Sequence, residues 1–419
     1  MTTTTPDLAA EVTGNPFAFL DPGVRAQPYP WLDALREAGP VPAPGIDGLV
    51  VFGRFDDCEE ILVAPWGSHD PRKGNRFAEI AAARGLDEQA EMDRQRSFLF
   101  LDPPDHTRLR GLVSKAFTRR RIEQLRPRVE QLVDGYLDAI AAKGDLELVT
   151  DLAYPLPVTV ISEMLGVPPE DRDTFQAWSR LLAHSLDAGL IPQPEEQLRA
   201  QRRAVNEFRA YFTELTERRR HEPTEDLLTG LVQAEEAGDR LSQDELLSTC
   251  ILLLIAGHET TVNLIGNAVL TLLRHPDQWQ LLVDDPALAL AATEETLRFD
   301  PPVQLTSRTA LEDVEVAGAT VPKGGSAVCA LGAANRDPRA FEHPERFDIR
   351  REDNKYLSFG KGVHYCLGAP LARLECEVTL AAFARRVVRP ALVADPPDYT
   401  SNAILRGVAA LPITFEDIH

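Results

Sequence analysis

One uninterrupted helical pattern dictates the dimensions of whatever this chain folds into. Ser242-Gln243-Asp244-Glu245 fits a capping box, in which a serine hydroxyl and a glutamate carboxylate each satisfy the other's free backbone donor, and helical periodicity then runs from 243 to 274. About 32 residues at ~1.5 Å each span about 50 Å, enough to cross the whole molecule. The densest apolar run within it, 251–256, falls far short of the about 20 residues that a bilayer crossing takes.

The same periodicity predicts helices over 108–117, 121–142, 169–186, 195–222, 288–299 and 367–386, the 288–299 helix stopping at Asp300-Pro301-Pro302 because proline lacks the needed N–H. Strand-like stretches are short: 49–52, 314–316 and 327–330. The expected fold class is mainly α with small β-sheets. No linker, charge block or repeat marks a boundary in the 419 residues, so one domain over 1–419 is expected, with 1–15 disordered. A net charge of −21 repels nucleic acid and anionic lipid alike, and the amino terminus has no basic flank followed by an apolar stretch. No nucleic acid, no membrane and a cytoplasmic location are the expectations.

Five cysteines, Cys58, Cys250, Cys329, Cys366 and Cys376, are scattered without a Cys-x-x-Cys pair, against a disulfide framework or a thiolate zinc site. Four read as idle buried thiols. Cys366 differs through its setting, Phe359-Gly360-Lys361-Gly362-Val363-His364-Tyr365-Cys366-Leu367-Gly368-Ala369. Alternate glycines permit a tight turn, and the cysteine then falls at a helix start, where free N–H groups and the positive dipole end favour a thiolate ready for metal. Phe359 is placed to pack against the sulfur and restrict water. A lone cysteine after a glycine turn is usually inert, but the whole pattern Phe-Gly-x-Gly-x-His-x-Cys-x-Gly resembles the haem-binding loop of the cytochrome P-450 family.

That resemblance implies haem b held by Cys366, with Phe359, Gly360, His364 and Gly368 around it, and a fold whose long central helix crosses over the haem. It also implies three features elsewhere in the chain. Glu295-Thr296-Leu297-Arg298 resembles the family's Glu-x-x-Arg helix; spacing of three puts both charges on one face, and Arg346 is the candidate third member of a network that supports the cysteine loop. Ala256-Gly257-His258-Glu259-Thr260-Thr261 resembles the acid-alcohol pair that helps activate oxygen. Here Gly257 gives room for the helix to pass close over the haem, Thr260 bonds the carbonyl of Ala256, and Glu259 relays protons. Asp102-Pro103-Pro104-Asp105-His106-Thr107-Arg108-Leu109-Arg110 resembles the segment that holds a haem propionate; His106 and Arg110 share a helix face, with Arg308 and His364 as the remaining partners.

The implied activity is monooxygenation: one atom of O2 enters an organic substrate and the other becomes water. Electrons are expected from a separate ferredoxin and its NAD(P)H-dependent reductase, docking on positive charge near Cys366, for which Arg110, Lys115, Arg119, Arg120, Arg121, Lys361 and Arg373 are candidates. The pocket is expected from segments around 66–99, 181–194, 252–256, 303–305 and 403–405, with Leu252, Ile255, Ala256, Val303, Gln304 and Ile404 in the lining. The substrate is then a hydrophobic small molecule of macrolide or polyketide, terpenoid, steroid or fatty-acid type. His258 either contacts substrate or packs. A haem-dependent isomerase, coupling enzyme or nitric-oxide reductase on the same scaffold, and a non-catalytic haem or ligand binder, are the rival functions. A monomer is expected by resemblance.

Overall fold

The computed structural model describes residues 8–83, 97–183, 194–236, 241–402 and 404–419. The long helix forms as Gln243–Arg274 with its capping box complete: Glu245 N–H donates to Ser242 Oγ at 3.2 Å and Ser242 N–H to Glu245 Oε2 at 2.8 Å. Arg108 clamps the same Glu245 carboxylate at 2.6 and 3.2 Å, which ties the cap to the Asp105–Val113 helix. From Thr261 to Leu272 every residue is buried, as in a helix that is apolar all round and serves as the axis of a core. It is the one described helix long and apolar enough to cross a bilayer, and two thirds of its most apolar window lies inside the protein.

Around this axis pack Pro155–Met164, Ala289–Phe299 and Ala369–Arg386, with Arg126–Lys143 behind the last of these. Together they share one large apolar core that also takes in Phe359 and Leu367 of the cysteine loop. To one side lies a five-stranded sheet in the order Val41–Pro42, Leu49–Phe52, Ser326–Ala330, Leu305–Ala310, Gly67–Ser68. Leu49–Phe52 runs parallel to Ser326–Ala330 and every other pairing is antiparallel. Two smaller apolar clusters cover its faces. The molecule is mainly helical with small sheets, as the periodicity implied.

Several boundaries differ from the sequence reading for local reasons. The pattern over 121–142 is two helices, Arg119–Gln124 and Arg126–Lys143, because Pro127 cannot donate into a preceding turn and starts a helix instead. Residues 8–14 are not disordered: Leu8–Gly14 is a helix whose Val12 is buried against Tyr29–Ala38. The strand Leu305–Ala310 was not anticipated. The calls for pocket walls at 84–96, 184–193 and 403 lie outside the described residues.

Candidate active site

The cysteine loop is shaped by two left-handed glycines, Gly360 (φ 67°) and Gly362 (φ 71°), which fold the chain back so that Cys366 N–H donates to the Phe359 carbonyl at 2.8 Å. Cys366 lies just ahead of the Ala369–Arg386 helix rather than at its first turn, and Sγ accepts from the amides of Gly368 and Ala369. Burial pushes the thiol above its usual range; the Gly368 amide, the Arg110 guanidinium, the Ala369 amide and Arg373 oppose it without prevailing. Metal binding at this sulfur displaces its proton. Arg373 lies 4.6 Å from the Phe359 ring centre, held by Glu294 at 2.5 Å and the Tyr356 hydroxyl at 2.8 Å.

The charged pair behind the loop is fully buried. Arg298 donates to both Glu295 oxygens at 2.7 and 2.8 Å and to the carbonyls of Asn335, Pro344 and Arg346. Arg346 thus gives only its backbone; its side chain is exposed, and the downstream arginine that reaches Glu295 is Arg351, at 3.2 Å. Asn354 adds a fourth side chain at 3.2 Å. Asn335 carries the network to the loop: its side chain accepts from the Leu357 amide at 2.7 Å and donates to Ser358 Oγ at 2.8 Å.

On the central helix, Thr260 Oγ1 donates to the Ala256 carbonyl at 3.0 Å, as expected. Ala256 is exposed on a helix otherwise largely buried, so this turn borders open space. A Cβ on Gly257 would lie 3.3 Å from Ile161, so the glycine accommodates the crossing Pro155–Met164 helix. His258 is wholly buried, with Nδ1 at 2.6 Å from the Leu254 carbonyl and Nε2 at 2.6 Å from Ser179 Oγ, while the Glu259 carboxylate lies 3.5 Å from Nε2. Of the two readings, His258 packs.

Haem brings two carboxylates on one edge, and whether this chain suits them can be read from its buried donors. Both nitrogens of His106, which is 2% exposed, and Nε2 of His364 are buried with no hydrogen-bond partner. Arg308, 3% exposed, donates only to the carbonyls of Ser307 and Leu62, and burial lowers it to about 10. Arg110 donates to the Tyr365 carbonyl at 2.5 Å. Buried polar atoms left unpaired cost about 1–3 kcal/mol each, so such a set converging near one sulfur fits a dicarboxylate. The rings of His106 and His364 stand 4.2 Å apart, and His364 lies 3.9 Å from a third, His69. The sequence reading missed His69, since Ser68-His69-Asp70 has no periodicity or motif to single it out. Among the described residues no cluster of histidine, cysteine and carboxylate side chains could hold a bare metal ion.

Of the pocket candidates, Leu252, Val303 and Ile404 are half-buried and Ile255 is buried. Gln304 is buried, its amide donating to the Pro301 carbonyl at 2.7 Å, and it lines a small cavity with Phe19, Leu405 and Arg406. Of the basic candidates, Lys115, Arg119, Arg120 and Arg121 are exposed, whereas Arg373 and Arg110 are half-buried and engaged, and Lys361 pairs with Glu59.

A family model described as "Cytochrome P450" matches residues 71–284 and 287–387. The chain is 42% identical over 395 residues to the vitamin D(3) 25-hydroxylase of Pseudonocardia autotrophica, covering 92% of this chain and 93% of that protein. It is 40% identical over 392 residues to the 6-deoxyerythronolide B hydroxylase of Saccharopolyspora erythraea, covering 91% and 94%. The crystal structure of Mycobacterium smegmatis CYP164A2 in its ligand-free state superposes with a TM-score of 0.87 at 47% identity, covering 96% of this chain and all of that one.

Proposed function

The chain belongs to the cytochrome P450 family, and on that footing we propose how its own residues divide the work of a haem-thiolate monooxygenase. The haem, when bound, supplies the oxidising chemistry that puts one atom of O2 into an organic substrate while the other leaves as water. Cys366 holds the iron through its sulfur, and the amides of Gly368 and Ala369 temper how much electron density it donates. His106, Arg110, Arg308 and His364 hold the two carboxylates. The Thr260 hydroxyl, back-bonded to Ala256, borders the open side of the helix, and Glu259 next to it relays protons. The Glu295, Arg298 and Arg351 network fixes the loop from behind.

Leu252, Ala256, Val303 and Ile404 are all apolar, which suits a substrate without charge. Relatives named as a vitamin D(3) 25-hydroxylase, a 6-deoxyerythronolide B hydroxylase and a polyketide biosynthesis cytochrome P450 support placing the substrate among lipophilic secondary metabolites of polyketide type. Electrons come from a separate ferredoxin with its NAD(P)H-dependent reductase. Exposed Lys115, Arg119, Arg120 and Arg121 supply local positive charge on a molecule of net charge −21, where an acidic carrier otherwise meets repulsion.

The observation that carries this reading is the sulfur of Cys366, turned out of a glycine loop and accepting two amide N–H groups. The test is the reduced carbon-monoxide difference spectrum. The wild-type protein should show the red-shifted band of thiolate ligation and Cys366→Ser should lose it; an unchanged band in the variant sinks the assignment. Spectral titration with macrolide aglycones against steroids and fatty acids then sorts the substrate class.

A further inference from the structure

We propose that His69 is a third imidazole of the carboxylate cradle, donating a ring N–H to a haem carboxylate and seating His364 for the same task. The inference rests on the haem reading above and concerns a residue to which no role has been given so far.

Position comes first. His69 directly follows the edge strand Gly67–Ser68, which pairs with Thr309 and Ala310, so the chain enters the cradle beside Arg308. The fit is close: a Cβ on Gly67 would stand 3.1–3.3 Å from three carbons of the Arg308 side chain. Asp102 then fixes the segment, accepting from the His69 amide at 2.9 Å, from Lys73 at 2.7 Å and from the Ser68 hydroxyl. With its backbone pinned, the His69 ring lies 3.9 Å from that of His364 at an interplanar angle of 33°, and His364 lies 4.2 Å from His106.

Chemistry comes second. Burial, Arg308, His364 and His106 together keep His69 neutral, down at about 2. A neutral imidazole carries one N–H donor and one acceptor nitrogen. Asp102, the anion beside this cluster, already accepts three hydrogen bonds, from Ser68, the His69 amide and Lys73. Both nitrogens of His106 and Nε2 of His364, the rings that adjoin His69, are buried without a partner beside the Arg110 and Arg308 guanidinium groups, and an acceptor with several lone pairs that tolerates neighbouring cations is a carboxylate. Two carboxylates sharing five donors give each its share of charge-assisted hydrogen bonds.

Two variants separate the donor from the ring. His69→Phe keeps an aromatic face against His364 but has no N–H, while His69→Gln restores a donor without the ring. The measurements are the rate of haem transfer to apomyoglobin and the reduction potential by spectroelectrochemical titration, with His106→Ala as a control for the cradle. One charge-assisted bond predicts about a tenfold faster haem loss in His69→Phe, together with a more negative potential, and recovery of most of both in His69→Gln. Wild-type values in His69→Phe with faster loss in His106→Ala overturn the role of His69 and leave the cradle standing. Wild-type values in both variants overturn the cradle, and the proposal with it.

Discussion

Glu375 shows how much a single buried atom pair weighs in this molecule. It lies wholly buried on the Ala369–Arg386 helix, neither carboxylate oxygen has a hydrogen-bond partner, and burial raises it well above its ordinary 4.5. The sign follows from linkage: a raised acid binds its proton more tightly when folded, so stability is fullest below pH 4.5 and is lost as pH rises through the raised value. Glu375→Gln cannot ionise. Its melting temperature should match wild type near pH 4.5 and exceed it increasingly toward pH 8, as calorimetry across that range would show; an equal or lower value at pH 8 counts against this account. At this scale the sequence was legible where spacing fixes geometry. The Glu295/Arg298 pair followed from a spacing of three and Cys366 and His364 from a motif's resemblance, but the choice between Arg346 and Arg351 depended on which way a loop turns. His69 depended on strand register.

At the scale of elements, the central helix was readable from both its cap and its period, because both are local properties of consecutive residues. Pairing was not readable. Leu305–Ala310 joins partners that lie far away along the chain, and its own pattern of burial is irregular. Gly257 marks the boundary between the two cases. Its presence in a helix interior calls for an explanation, and Ile161 of another helix supplies one that the spacing along the chain does not show. Gly257→Ala gains about 1 kcal/mol of helix propensity and meets overpacking of about 1–3 kcal/mol, so a net loss of about 1 kcal/mol is expected. Denaturant melts of the single variants and of Gly257→Ala with Ile161→Val should reveal a favourable coupling of at least about 0.5 kcal/mol. Strict additivity would mean the two positions do not compete for the same space.

Across the whole molecule, two regions distant in sequence meet at the proposed cradle: helix and loop bring His106, Arg110 and His364, while the sheet brings Arg308 and the residue after its edge strand, His69. Ligand binding that satisfies donors on both must stiffen both. Haem loading about 1,000-fold above its dissociation constant should add about 4 kcal/mol of stability. Thermal melts of haem-free and haem-loaded protein would show the transition rise and sharpen, and coincident curves would contradict a cradle shared between the two regions. Gly67–Ser68 joins this edge to Thr309 and Ala310 through two residue pairs. If His69 serves the cradle as proposed, replacing the residues that follow this edge also shifts the voltage at which the enzyme accepts electrons, because the same short stretch of chain seats the imidazole.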